Sequence, residues 1–420
     1  MPLLYASDLI TQYLPWYYLV QLHLRRFQLP YWVPDLYSTG YPLLAEGETG
    51  VLSPINALIL FLFPFSYAVT LLYLTYALIA VSGTYCFLCR HRLTKISSLL
   101  GGLIFTFSGF MVSRYFQPSI IFSAALLPWG MLAVHRQSWW LPLIIYLQVT
   151  AGHLQIALIS AMAYAFYAFT HLRLYALVLI LLGLGLSAVQ LLPSVKLYQL
   201  SDRRSWDPMV RFTYSLPPAH LLTYISPKAF GISAPGDNLG FRQFGGSFWE
   251  FNLTIWTLPF LLSLLPLFLK RSPAVWILYG LWVLFLILSF GGYTPLYRLL
   301  ARSPEFPFRA PSRFLLIPTF AAAALAAHGF NQLARRRQFL GFGLILVSIV
   351  WQATDQLRDY FLISPSWQTL TTLTSPLLLS QTVNPALFVV KFHQGLIITL
   401  LSFLILLYAK NRFQKLTPAS

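Results

Sequence analysis

Carboxylates crowd the head of this chain. Asp8, Asp35, Glu46 and Glu48 are four of its eleven acidic residues, and all precede the first stretch apolar enough to cross a bilayer. An acid near a membrane surface can act as a general base, bind a metal or simply be solvated. Asp8 precedes an aromatic segment, Tyr13 to Tyr18, of the kind that sits at the headgroup level. An acid held there, partly out of water, suits proton abstraction. The plainer reading makes Asp8 the cap of an interfacial helix. Gln12 and Pro15 follow it within two turns. Glu46 and Glu48 flank Gly47, which suggests a turn. Two such carboxylates could hold a divalent ion, although a true site needs more oxygen ligands than this pair offers.

Other groups carry polar chemistry later in the chain. Arg309 and Arg313 stand four apart at the mouth of an apolar segment, framed by Pro304, Pro307 and Pro311. Guanidinium forks suit phosphate, and rigid framing suggests positioning; lipid headgroup anchoring is the competing reading. The stretch 194–248 mixes Lys196, Asp202, Arg203, Arg204, Asp207, Lys228 and Arg242 with aromatic residues. That mixture suits a carbohydrate or phosphosugar cleft, and equally a solvated loop. Glu250 lies at the edge of an apolar run, where an acid needs a partner, and a basic residue of the same loop is the expected one. His153 and Gln155, in Gly152-His153-Leu154-Gln155, and Gln190 interrupt apolar segments. They could hydrogen-bond a sugar or simply satisfy helix ends.

The elements that must position these residues are hydrophobic. The chain has 420 residues, of which 57% are hydrophobic and 9% charged, with mean hydropathy +0.67. Soluble domains carry about 25% charged residues. An all-α polytopic membrane protein follows. Spans of about 17 to 25 residues are expected near 69–89, 96–113, 119–135, 139–151, 154–171, 174–193, 249–269, 274–290, 314–330, 338–353 and 394–410. The 139–171 region reads as two short helices joined at Gly152-His153, or as one long tilted helix. The run 52–66, broken by Pro54 and Pro64, reads as interfacial or re-entrant. The chain divides into a first outer loop, 1–54, and a membrane domain, 55–420, with outer loops 194–248, 291–313 and 354–393.

The net charge of +17 does not indicate a nucleic-acid partner, because the basic residues punctuate apolar segments in short clusters. Arg90, Arg92 and Lys95; Arg136; Arg173; Lys270 and Arg271; Arg335 to Arg337; and the tail with Lys410, Arg412 and Lys415 belong on the cytoplasmic side by the positive-inside rule. All eleven acids then lie outside, with the N-terminus outside and the C-terminus cytoplasmic. Cys86 and Cys89 share a helix face, which reads as packing. The first 24 residues lack Lys and Arg, so no cleavable signal peptide is expected. A phosphate-cradling glycine loop, a zinc-spaced His/Cys set and a nucleophile elbow are all missing from the sequence.

The order of motifs resembles the bacterial YfhO-like membrane protein family, within the GT-C-fold glycosyltransferases. The resemblance rests on Asp8, Gln12 and Pro15; Pro30-Tyr31-Trp32-Val33-Pro34; Gly40-Tyr41-Pro42; Ala45-Glu46; Phe107-Ser108-Gly109-Phe110; Pro128-Trp129; Gly152-His153-Leu154-Gln155; Gln190 to Pro193; Glu250; Gly292 to Pro295; and Phe308 to Phe314. It covers nearly residues 1 to 330, and it lies in order and spacing rather than in any single motif. Val33 stands where members carry asparagine. Members open with a helix before the first loop and are often longer, so the resemblance implies a chain lacking a first helix and a C-terminal extension.

That resemblance implies a GT-C-like bundle in a bacterial inner membrane. It implies transfer of a sugar from a polyprenyl-phosphate donor to a cell-envelope glycan, lipid or protein. Asp8 would be the general base. Gln12, Glu46, His153, Gln155, Arg204, Glu250, Arg309 and Arg313 would bind substrate, with the two last arginines on the leaving phosphate. The scheme implies no particular cofactor, and a divalent metal is the one left open. The alternative is a transporter or flippase of a lipid-linked or anionic substrate, which would place ionisable residues at mid-bilayer. A third reading is a non-catalytic envelope assembly factor.

Overall fold

The computed structural model of the protein describes residues 8–34, 36–38, 40–202, 208–225, 230, 248–268, 272–303, 306, 308–332 and 343. Within them the chain is helical, with one isolated bridge between Val33 and Tyr41. An apolar chain removed from water must satisfy its backbone internally, and the helix does this within one segment.

The head of the chain is more ordered than a loop. A π-helical turn, Leu9–Tyr13, runs into α1 (Leu14–Arg25), with Pro15 in the first turn where no amide is needed. Next comes α2 (Pro54–Leu62), capped by the Ser53 side chain, which accepts from the Asn56 amide. The Gln21 amide of α1 donates to the Leu60 and Phe63 carbonyls at 2.6 and 2.9 Å, satisfying the end of α2. Nine residues of helix reach about 14 Å, roughly half a hydrocarbon core. Its shortness agrees with the breaks at Pro54 and Pro64.

The membrane-scale helices follow. They are α3 (Phe65–Arg90), α4 (Lys95–Thr106) with the short α5 (Gly109–Val112), and α6 (Pro118–Ala125) with α7 (Leu127–Arg136). Then come α8 (Leu141–Thr150), α9 (Leu154–Thr170), α10 (Tyr175–Leu186) and α11 (Ala188–Leu200). After the four-residue α12 (Phe248–Phe251) the chain forms α13 (Thr257–Leu264), α14 (Pro273–Ser289), α15 (Pro295–Leu300) and α16 (Leu316–Asn331).

Four segments are long and apolar enough to cross a membrane: Phe65–Arg90, Lys95–Val112, Pro118–Arg136 and Pro311–Asn331. A fifth joins them if α10 and α11, bent by 63°, are one span. The larger number expected from hydropathy is not reached among the described residues, for identifiable reasons. The 139–171 region is two helices, α8 and α9, parted at Gly152, and each is shorter than a full span. The expected span 249–269 divides into α12 and α13, because residues 252–256 leave the helix. The expected spans at 338–353, apart from residue 343, and at 394–410 lie outside the described residues.

The bundle is organised around α16. Every side chain from Leu316 to Phe330 is buried, and α4, α13 and α14 pack around it. Its alanines, 321–324 and 326–327, let these neighbours approach closely. Helices α7, α9 and α16 run the same way. Their ends gather where His135 Nδ1 lies 2.8 Å from the Tyr167 hydroxyl and the His328 ring 6.3 Å from that of His91. The starts of α9 and α16 meet at the opposite end, and there the polar residues converge.

Candidate functional site

The centre of the polar end is a buried carboxylate between two guanidiniums. Glu250, on α12, is 2% exposed. Arg114 Nη2 lies 2.9 Å from its Oε2 and also donates to its backbone carbonyl at 3.2 Å. The Ser312 hydroxyl donates to the same Oε2 at 2.9 Å. Arg313 approaches from the other side, with Nε 3.5 Å from Oε1, an ion pair too long to be a good hydrogen bond. Burial alone would raise the Glu250 pKa. The charges of Arg114 and Arg313, with the hydrogen bonds of Arg114 and Ser312, outweigh it and hold the carboxyl below its ordinary range. The partner expected from the neighbouring loop is therefore replaced, among the described residues, by Arg114 and Arg313.

Local sequence explains how these groups meet. The Gly109 amide donates to the Thr254 carbonyl at 2.7 Å, and a Cβ at Gly109 would lie 2.1 Å from Asn252 Oδ1. A side chain at 109 would push the two segments apart. The contact sets α5 against the stretch after α12, so Arg114 points at Glu250. The Arg114 guanidinium also lies 4.0 Å over the Phe110 ring. Arg313 is placed by the 3₁₀ turn Pro311–Leu315 that leads into α16.

Arg313 also joins the start of α9. Its Nη1 lies 3.1 Å from both His153 Nε2 and Gln155 Oε1. His153 caps α9 through Nδ1, which faces the Ile156 amide at 3.3 Å. Burial, then the charges of Arg313 and Arg309, push the His153 pKa well below its ordinary value, so the ring is neutral. A neutral imidazole has one acceptor nitrogen. The cap and the Arg313 contact therefore cannot both be hydrogen bonds at once. Gln155 donates from Nε2 to the Arg309 carbonyl, tying the arginine loop to α9. The Arg309 side chain is half-buried. Two guanidiniums, Arg114 and Arg313, thus flank one carboxylate, and the charge of a third, Arg309, reaches His153.

The first-loop acids approach from the other flank. Asp8 opens the turn Leu9–Tyr13 without capping it, and instead accepts from Gln117 Nε2 at 3.4 Å. Gln12, on the same turn, is half-buried and makes no side-chain hydrogen bond among the described residues. Glu46 accepts from the Tyr41 hydroxyl. Glu48 accepts from the Tyr13 hydroxyl at 2.6 Å, and Tyr13 also contacts Ser119 Oγ at 2.8 Å. The two glutamates thus turn to different phenols. Among the described residues, no group of three or more His, Cys, Asp or Glu is placed to hold a metal ion. Gly152 lets the chain pass this corner: its φ is +126°, and a Cβ there would lie 3.0 Å from the Glu48 carbonyl and from Ser119 Cβ.

One short segment organises all of this. From the end of α5 into the first turn of α6, residues 113–119 supply Arg114 to Glu250, Gln117 to Asp8 and Ser119 to Tyr13. A backbone bond from the Gln117 amide to the Arg114 carbonyl, 2.7 Å, tightens the turn. Sequence reasoning passed over it as a connection. A signal was present: an arginine between two apolar runs, outside the basic clusters. The structure brings Glu250, Arg313, His153 and Gln155 into direct contact, and joins Asp8 to them through that segment. Glu46 sits apart with Tyr41, and Gln190 donates to the Leu44 carbonyl and to Ser194, each at 3.0 Å. Arg204, Asp35 and most of 226–247 lie outside the described residues. Comparison with protein-family models, curated proteins and solved structures finds no match to this chain.

Proposed function

We propose that the chain is a membrane glycosyltransferase that moves a sugar from a polyprenyl-phosphate donor to a cell-envelope glycan, lipid or protein. On this reading it forms a GT-C-like bundle of about eleven spans in a bacterial inner membrane. The N-terminal acids and the arginine loop then face outward. The observation that supports it is the meeting, at one end of an apolar bundle, of a partly exposed carboxylate, Asp8, with a guanidinium-rich pocket around Glu250. Acid on one side and cation on the other is what displacement of a lipid phosphate requires.

In this scheme Asp8 takes the proton of the acceptor hydroxyl. The acceptor oxygen bonds to the anomeric carbon, and the bond from that carbon to the phosphate oxygen breaks, its electrons leaving with the phosphate. A positioned base supplies about 10²–10⁴-fold. Arg309 meets the growing phosphate charge. Arg313, engaged by Glu250, His153 and Gln155, sets the pocket from behind. The leaving phosphate stays on its lipid, so nucleotide chemistry is not needed. The test is transfer of labelled sugar from polyprenyl-phosphate donors by the purified protein in nanodiscs. Asp8→Asn should reduce transfer by at least about 10²-fold while the unfolding midpoint holds. Wild-type transfer rates in that variant would remove Asp8 from the scheme.

A further inference from the structure

Glu48 matches no position of the resemblance, yet a buried phenol holds it in place. Its Oε2 is held by the Tyr13 phenol at 2.6 Å, and Tyr13 is itself held by Ser119 at 2.8 Å. Burial, then the Glu48 charge, raises the Tyr13 pKa well above its ordinary value, so the phenol stays a donor. Among the described residues nothing engages the second carboxylate oxygen, and Glu48 is partly open to solvent. Two fully buried hydroxyls lie close by without partners: Tyr17 Oη and Thr49 Oγ1. The Tyr17 ring is 6.2 Å from that of Tyr13, and its hydroxyl feels the Glu48 charge. Thr49 adjoins Glu48 in the chain.

The chemistry of this corner selects its ligand. A carboxylate repels phosphate, so the donor's anion belongs with the arginines. One carboxylate with neutral hydroxyls is too poor a set for a divalent cation. A neutral hydroxyl fits, because it can donate to Glu48 and accept from a phenol at once. We propose that Glu48, held by Tyr13, forms a second subsite that binds a carbohydrate hydroxyl, separate from the Asp8 carboxylate across residues 117–119. The use of that subsite for the acceptor sugar rests on the transferase reading; the binding itself does not.

The test uses the full chain in lipid nanodiscs and three probes: methyl β-glucoside, methyl α-mannoside and N-acetylglucosamine. Trp16, whose ring lies 5.9 Å from that of Tyr13, reports binding by fluorescence. At least one probe should bind the wild type. Glu48→Ala should weaken that binding tenfold or more, Tyr13→Phe by a smaller factor, and Asp8→Asn by less than twofold. Thr49→Val, which keeps the side-chain shape, guards against a loss that reflects misfolding, and should also weaken binding while the unfolding midpoint holds. Equal binding by wild type and Glu48→Ala overturns the proposal. So does the absence of binding by all three probes, or an equal loss in Asp8→Asn. Glu48-dependent binding with no transfer from any polyprenyl-phosphate sugar would keep the subsite and discard the transferase.

Discussion

Arg114 and Glu250, from α5's trailing turn and the short α12, meet at 2.9 Å with both side chains shut away from water. Removing one partner of a buried pair leaves the other charge uncompensated, at a cost of about 3–5 kcal/mol. Glu250→Gln is expected to lower stability by that order, since Arg313 loses the same counter-charge. Arg114→Leu should cost a similar amount, and the double variant less than the sum. A double-mutant cycle on denaturant midpoints measures this coupling, and strictly additive losses would show that the pair does not interact.

His153 gives the fold a pH dependence of known sign. Its folded pKa is depressed by burial and by Arg313 and Arg309, while an unfolded histidine titrates near about 6.5. Above that pH both states are neutral, and its contribution is fully present. As pH falls below it, the unfolded state takes up the proton first, and stability declines until the folded pKa is reached. The midpoint of unfolding should fall between pH 7.5 and 5.5 (roughly the window set by). His153→Asn, which keeps a capping side chain, should flatten part of that slope. An unchanged slope would show that His153 is not the group responsible.

The two arginines of the Phe308–Phe314 loop should fail differently. Arg313 is built into contacts with Glu250, His153 and Gln155, so Arg313→Ala should lower both stability and transfer. Arg309 is half-buried, and its backbone carbonyl, not its guanidinium, holds Gln155. Arg309→Ala should raise the donor KM and lower stability less than Arg313→Ala does. Equal thermal losses in both variants would contradict this division.

Gly152→Ala tests the corner beneath Glu48. The position combines φ +126° with carbonyl and Cβ neighbours at 3.0 Å. A loss of about 1–3 kcal/mol is expected, together with displacement of the Glu48 loop. A variant as stable as the parent would mean that the corner relaxes freely.

Much of this site was legible in the sequence, but not its wiring. Motif order singled out His153, Gln155, Glu250 and Arg313, and these four lie in one contact set. Prolines marked α2 as short, and Gly152-His153 marked the break between α8 and α9. Pairing across the bundle was not readable. Glu250 finds its partners on residues 114 and 313, far away in the chain, because α5 and the 3₁₀ turn Pro311–Leu315 pack beside α12. Glu48 was unreadable for a related reason: its significance comes from Tyr13 and Ser119, which look like interface and helix-start residues in isolation. Hydropathy also misses where a helix is interrupted. It averages over breaks such as 252–256, which tertiary contacts from Gly109 hold open.

The Gln155 amide has a direction. Its oxygen faces the Arg313 guanidinium, a pure donor, and its nitrogen faces the Arg309 carbonyl, a pure acceptor. Turning the group over would set like against like at both ends. Glutamate would suit the arginine and offend the carbonyl; lysine would do the reverse; leucine would answer neither. Asparagine has the right two faces on a stem one carbon too short. Position 155 therefore favours glutamine, and a residue that passes for a helix-end spacer works as a keyed joint between α9 and the arginine loop.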